Sequence, residues 1–307
     1  MIAVETQGLT KKFNSFKAVD GLDLRVPAGS IYGFLGPNGA GKTTTIKMLT
    51  GLSKPSSGTI TICGKSVQFG STKNRIDTGF LPDVPNFYEW MSAREFLYFT
   101  GDLFGIEDKI LKKRVEYLLD LVGLNGVNKK VRGFSRGMKQ RLGIAQALVN
   151  EPKVVFLDEP TSALDPVGRK EVMDIIAKLA GQVTVFFSTH ILEDVERVCD
   201  RVVILNRGKA IIEDSMENLR VKYSNRNILL QCNGEKAVDL IRTLRNCSWI
   251  ERVIEQEQGE LSLEVSDIKA AQQQIPGMLH QCNMKLEKFV IQQPSLEDIF
   301  MKVVSSS

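Results

Sequence analysis

The rhythm of apolar positions changes several times along the chain, and each change marks an element. Val19, Leu22, Leu24 and Val26 alternate with polar neighbours ahead of a Pro27-Ala28-Gly29 turn, so residues 2–26 are expected to form short strands. Unbroken apolar runs follow at Ile31 to Leu35, Val154 to Leu157 and Val183 to Phe187. They are too short for helices and lack alternation, as expected of strands buried on both faces of a mostly parallel sheet. Further strands are expected from Thr59 to Cys63 and in a run ending at Gly79-Phe80-Leu81.

Elsewhere the spacing becomes helical. Phe96, Leu97 and Phe99, then Leu111, Val115, Leu118, Leu119 and Val122 recur at intervals of three and four, predicting a helical insertion between strands. Helices are also expected at Thr44 to Leu52, Met138 to Val149 and Pro166 to Ala180. From about Lys222 a new pattern reads β-α-β-β-α-β: Asn227 to Cys232, Glu235 to Arg245, Trp249 to Glu255, Leu261 to Val265, Ile268 to Cys282 with a kink at Pro276, and Lys285 to Gln292. This is the split order of a ferredoxin-like unit. A last helix, Ser295 to Val303, opens with a serine cap and first-turn acids. The expected domains are therefore 2–221, with a helical subdomain at about 84–150, and an α+β accessory domain at 222–307.

Composition narrows the class without naming it. The 307 residues suit one larger and one smaller domain, and 43% apolar residues suffice for two cores. Forty Lys and Arg against 36 Asp and Glu leave a net charge of +4, too mild to argue for a nucleic-acid surface. The five cysteines have neither metal-ligand nor disulfide-framework spacing, and read as reduced thiols of the cytosol. Met1 to Lys12 does not read as a signal peptide, and no apolar stretch approaches the roughly twenty residues of a membrane helix.

The candidate chemistry is concentrated where apolar strands end. Gly36-Pro37-Asn38-Gly39-Ala40-Gly41-Lys42-Thr43-Thr44 lies between a strand and a helix with the spacing G-x-x-x-x-G-K-T. Backbone N–H groups of such a loop, with the dipole of the following helix, point at one polyphosphate. Lys42 would reach the terminal phosphates, and the Thr43 hydroxyl would take a place on a bridging Mg²⁺. Asp158 and Glu159 follow the strand 154–157: the first is expected to hold Mg²⁺, the second to polarise the water attacking the γ-phosphate. His190 follows the strand 183–187, where an imidazole can bond the γ-phosphate and hold that water. His280 reads as a surface residue.

Phe134-Ser135-Arg136-Gly137-Met138-Lys139-Gln140 opens another helix, so Ser135 and the N–H groups of Arg136 and Gly137 form a second anion site. One polyphosphate does not need two such sites in one subunit. The pattern implies a head-to-tail dimer in which each helix N-terminus completes the partner's phosphate loop across a two-fold axis.

Together these motifs resemble the ATP-binding subunits of ABC transporters over residues 2–220. The resemblance implies a P-loop NTPase of α/β class, a RecA-like core with an inserted helical subdomain. It assigns Gly36 to Thr44 as the Walker A loop, Ser135 to Met138 as part of the signature, Val154 to Asp158 as Walker B, Glu159 as the catalytic glutamate, Ser162 to Asp165 as the D-loop and His190 as the switch histidine. Phe13 is similar to the family's adenine-stacking aromatic, with Val19 flanking it. Asp83 stands where the family usually has glutamine, and a weak metal role is carried over to it. Phe134-Ser135-Arg136-Gly137-Met138 replaces Leu-Ser-Gly-Gly-Gln. These departures and the closing Pro294-Ser295-Leu296-Glu297-Asp298-Ile299-Phe300 are similar to the branch serving ABC-2-type permeases, exporters of drugs, peptide antibiotics, sodium or lipid-linked polysaccharides.

The resemblance implies a Mg²⁺-dependent ATPase, working as a homodimer or heterodimer, that energises export through a separate integral membrane permease. Its location would be cytoplasmic, peripheral on the inner face of the cell membrane. Aromatics Phe87, Tyr88 and Trp90 in 84–94 are expected to be exposed, in a groove for the permease's coupling helix. The alternatives are a soluble ABC ATPase acting on ribosomes or DNA, for which the chain lacks a second cassette, a heptad run or zinc spacing, and a nucleotide-gated regulatory scaffold.

Overall fold

A computed structural model describes residues 1–71, 76–222, 227–234, 237–255, 260–292 and 295–305. The chain divides into two compact units, residues 1–216 with 300–307, and residues 217–299. The division thus falls at 216/217 in place of the expected 221/222.

The first unit is built on a six-stranded sheet in the order Lys209–Ser215, Arg201–Asn206, Ile31–Leu35, Thr184–Thr189, Val154–Asp158, Thr78–Leu81. All neighbours are parallel except the first pair. The three central strands are buried at every residue, which is why they carry no alternation. Phe186 fills the middle, its ring 5.4 Å from Tyr32, 4.9 Å from Phe34 and 5.6 Å from Phe156. Each such buried aromatic contributes about 1.5–3 kcal/mol, so the sheet is rigid where it carries the chemistry. Register aligns the strand ends: Leu35 lies opposite Thr189, and Asp158 opposite Ser188. The phosphate loop, Asp158, Ser188 and His190 therefore emerge at one edge, the C-terminal edge of a parallel sheet.

The N-terminal alternation produces something larger than short strands. Ile2–Phe13 and Phe16–Pro27 form a long hairpin closing at the Phe13–Phe16 pair, and Ser57–Ile62 and Lys65–Ser66 extend it into a separate antiparallel sheet. Its inner face (Val4, Leu9, Val19, Leu22, Leu24, Val26) joins the core containing Tyr32 and Phe34. This leaves the hairpin tip, with Phe13 and Phe16, exposed.

The insertion contains Ala93–Leu103, Asp108–Leu121 and Arg136–Leu148. Ser92 and Glu95 form a reciprocal capping box on the first, and Ser135 caps the third by accepting from Met138 N. Leu111, Val115, Leu118 and Leu119 form the buried stripe of the second, as their spacing predicts. Phe87 packs edge-on against buried Phe96, whereas Tyr88 and Trp90 are exposed, so the expected aromatic surface loses one member to local packing.

In the second unit the strands Ile250–Glu255, Glu260–Val265, Asn227–Asn233 and Lys285–Gln292 form an antiparallel sheet in that order, with Ala237–Arg245 and Ile268–Gln281 as its helices. This is the ferredoxin-like arrangement. Leu240, Leu244, Ala271, Ile275 and Leu279 pack on Ile228, Leu230, Leu261 and Leu263. The expected helical residues 235 and 236 lie outside the described residues, and His280 is exposed.

Candidate functional site

The loop 36–41 joins the strand Ile31–Leu35 to the helix Lys42–Leu49. Two glycines make it possible. A Cβ at Gly36 would meet the Leu205 carbonyl oxygen at 2.7 Å, and one at Gly41 would collide with the Ala18 carbonyl oxygen. Gly41 also adopts φ +102°, a left-handed conformation open to glycine. Thr45 N makes the bond to Gly41 O at 2.9 Å, so the N–H groups of Lys42, Thr43 and Thr44 precede the first helical bond. These three residues line a cleft of about 500 Å³.

Lys42 is nearly buried, with its side chain 6% exposed. Its ammonium donates to Gly36 O at 2.7 Å and Pro37 O at 3.2 Å, and pairs with Glu159 Oε1 at 3.1 Å. The charge is thereby held at the mouth of the loop. Beneath it, Asp158 Oδ1 accepts from Ser188 Oγ at 2.7 Å and Thr43 Oγ1 at 3.1 Å. Burial pushes the Asp158 carboxyl above its ordinary value, the Ser188 and Thr43 hydroxyls pull it back, and neighbouring Glu159 and Asp83 charges add to the rise. A cation bound here would relieve that strain.

Glu159 turns sharply out of the strand with φ +48°, held by its N–H bonding Ser188 O at 3.2 Å and Ser188 Oγ at 3.0 Å. Its two oxygens are divided: Oε1 faces Lys42, and Oε2 lies 2.9 Å from His190 Nδ1. His190, Asn38, Gly39, Asp83 and Ser162 also line the cleft, and Phe13, Phe16 and Ala18 form its apolar end. Lys11 Nζ sits 5.1 Å from the centre of the Phe13 ring. Pro37 and Ala40 shape the loop through the Ala40 N to Pro37 O bond of 3.1 Å.

Several of the expected residues do not line this cleft. Val19 is fully buried in the core beside Gly41, because it occupies the opposite face of its strand from Ala18. Asp165 caps the helix Pro166–Lys178 by accepting from Gly168 N, so Ser162 is the member of that turn that lines the cleft. Ser135, Arg136 and Gly137 begin their helix outside the cleft. The two departures from the family pattern face each other: Arg136 Nη2 is 3.8 Å from Asp83 Oδ1. Arg136 thus offsets part of the charge that Asp83 adds near Asp158 and Glu159.

Phe16 and Ser188 were not legible as site residues. Phe16 joins Phe13 only because the hairpin turns between them, and Ser188 meets Asp158 only through cross-strand register.

The donor set suits the group that the motifs imply. Backbone N–H groups and a buried ammonium fit phosphate oxygens, and the hard oxygens of Thr43 and Asp158 fit a small divalent cation. Comparison with known proteins points the same way. The family described as ABC transporter matches residues 19–162, and that described as ATP-binding protein DrrA1-3-like, C-terminal domain, matches residues 215–304. The chain is 37% identical over 305 residues to the ABC transporter ATP-binding protein YxlF of Bacillus subtilis, covering 99% of each. It is 46% identical over 231 residues to the bacitracin transport ATP-binding protein BcrA of Bacillus licheniformis, covering 74% of this chain and 73% of the relative. An ATP-binding cassette solved as a dimer, in a post-hydrolysis state with ADP and phosphate, superposes with a TM-score of 0.62 at 26% identity, covering 69% of this chain and 98% of the other. The chain therefore belongs to the ATP-binding, ATP-hydrolysing subunits of ABC transporters, and carries a DrrA-like C-terminal domain.

Proposed function

We propose that this subunit hydrolyses Mg²⁺-bound ATP in a dimer and drives export through a separate ABC-2-type permease. The observation that carries the reading is Glu159, held between Lys42 and His190 at the mouth of the phosphate loop. Lys42 and the N–H groups of residues 42–44 bind the terminal phosphates. Thr43 and Asp158 would hold Mg²⁺, which offsets phosphate charge when bound. As the Lys42 ammonium turns to phosphate oxygens, Glu159 Oε1 is released to accept a proton from the attacking water. His190 keeps Oε2 in place, so the carboxylate does not need to reorganise during the reaction. Phe13 and Phe16 at the apolar end suit a nucleobase face.

Binding across a dimer gives Ser135 and the helix it caps, which lie outside the cleft of their own subunit, a phosphate to meet, and a related cassette has been solved as a dimer. Similarity to a bacitracin transport subunit and the DrrA-like domain support the export reading. Tyr88 and Trp90, 49% and 65% exposed, offer the surface for a helix of the permease at the membrane's inner face. No helix among the described residues is long and apolar enough to cross a membrane. To test the reading, the tagged chain is recovered from gently solubilised membranes and its companions are identified by mass spectrometry. A protein with several apolar spans of about twenty residues is expected; recovery with ribosomes or DNA alone would overturn the export assignment.

A further inference from the structure

The turn 159–165 that carries Glu159 has two residues in the left-handed region, Glu159 at φ +48° and Ala163 at φ +51°. Such a turn persists when its surroundings hold it. Ser188 holds its start through the Glu159 N–H. A different group holds its middle. Thr161, 2% exposed, donates its hydroxyl to Asp194 Oδ2 at 2.6 Å, and Asp194 is itself 2% exposed. The other carboxylate oxygen of Asp194 accepts from Arg169 Nε at 2.6 Å, and Arg169 Nη2 reaches Glu193 at 3.0 Å.

One buried carboxylate thus ties together three segments: the turn bearing Glu159, the helix Pro166–Lys178 capped by Asp165, and the helix Leu192–Val198, which begins two residues beyond His190. None of Thr161, Arg169 or Asp194 lines the cleft. We propose that Asp194 is a positioning residue, which sets the Glu159–His190 distance of 2.9 Å by fixing the turn and the post-His190 helix to each other. The inference rests on the reading of Glu159 as base. Its physical basis is that a catalytic carboxylate displaced by about 1 Å can lose on the order of 10²-fold in rate.

Removing one partner of a buried ion pair also destabilises a fold, so the test uses the gentler Thr161 side. Thr161→Val keeps the shape and deletes the hydroxyl; Thr161→Ser restores it. Thr161→Val is expected to lower kcat by about 10-fold or more while leaving ATP affinity within about 3-fold, and Thr161→Ser is expected to return near wild type. In a Glu159→Gln background Thr161→Val is expected to cause no further loss, since a missing base cannot be misplaced. A second readout does not depend on turnover. With only two histidines in the chain, the imidazole ¹⁵N signals of His190 can be assigned against a His280 variant. The Nδ1 signal is expected to move in Thr161→Val and recover in Thr161→Ser. Wild-type kcat and an unmoved His190 signal in Thr161→Val would overturn the clamp. So would a loss that is independent of Glu159. An inactive wild type whose His190 signal still responds would overturn the role of Glu159 and leave the clamp supported.

Discussion

Ser188 has no chemistry of its own in this mechanism, yet it is fully buried and touches both acids. In Ser188→Ala, Asp158 loses a 2.7 Å donor, a bond to a charged group worth about 1.5–3 kcal/mol. Glu159 N loses Oγ but keeps the Ser188 carbonyl at 3.2 Å, so that loss adds about 0.5 kcal/mol at most. The sum, about 1.5–3.5 kcal/mol, corresponds to roughly 10- to 400-fold faster hydrogen exchange in peptides covering the strands Val154–Asp158 and Thr184–Thr189.

The deficit also has a pH signature. Asp158 already has a raised folded-state pKa because of burial, and the Ser188 hydroxyl opposes the rise. An acid raised in this way binds its proton more tightly folded than unfolded. Its charge therefore weakens the fold above the raised value, and the penalty disappears below the ordinary carboxyl value of 3.8. Deleting the donor raises the folded pKa further. The exchange deficit, corrected for intrinsic rates, is thus expected to be largest at neutral pH and to shrink on acidification toward 3.8. A deficit constant with pH, or one growing as pH falls, would refute the assignment of Ser188 as the donor that keeps Asp158 charged.

Two further outcomes are expected. Lys42→Ala removes an ammonium bonded to Gly36 O and paired with Glu159; ATP affinity, read with a fluorescent analogue, is expected to fall by at least about 10²-fold, or about 2.7 kcal/mol, and unchanged affinity would count against the loop. Glu95 is held at a pKa of about 2 by Lys130 and by the Ser92 cap, against an ordinary 4.5. The thermal-stability advantage of wild type over Glu95→Gln is expected to be complete above 4.5 and lost as pH falls toward 2; an advantage that survives at the acid end would contradict a stabilising role for the Glu95 charge beside Lys130.

What could be read from the chain was local. Asp158, Glu159 and His190 stand at the ends of short apolar runs, Lys42 and Thr43 follow another through the loop 36–41, and a parallel sheet brings such ends together. The ferredoxin-like order followed from the alternation of element types alone. The rest depended on register and partners distant in sequence. Val19 alternates as a strand residue does, but the strand's sidedness, which places it in the core and Ala18 at the cleft, comes from pairing with Ile2–Phe13. Ser135 and Asp165 were legible as polar residues before helices, and a capping bond occupies each. The Thr161–Asp194–Arg169 network joins residues up to 33 positions apart with no motif between them. Asp83 and Arg136 read as two separate departures, and their proximity makes them one feature.

The mechanism turns on Glu159 as the base of an ATPase that closes as a dimer. Its most direct test is hydrolysis and light scattering of purified Glu159→Gln with Mg²⁺ and ATP. ATP is expected still to bind, turnover to fall by on the order of 10²-fold or more, and a nucleotide-loaded dimer to accumulate. Turnover near wild type would place the base elsewhere.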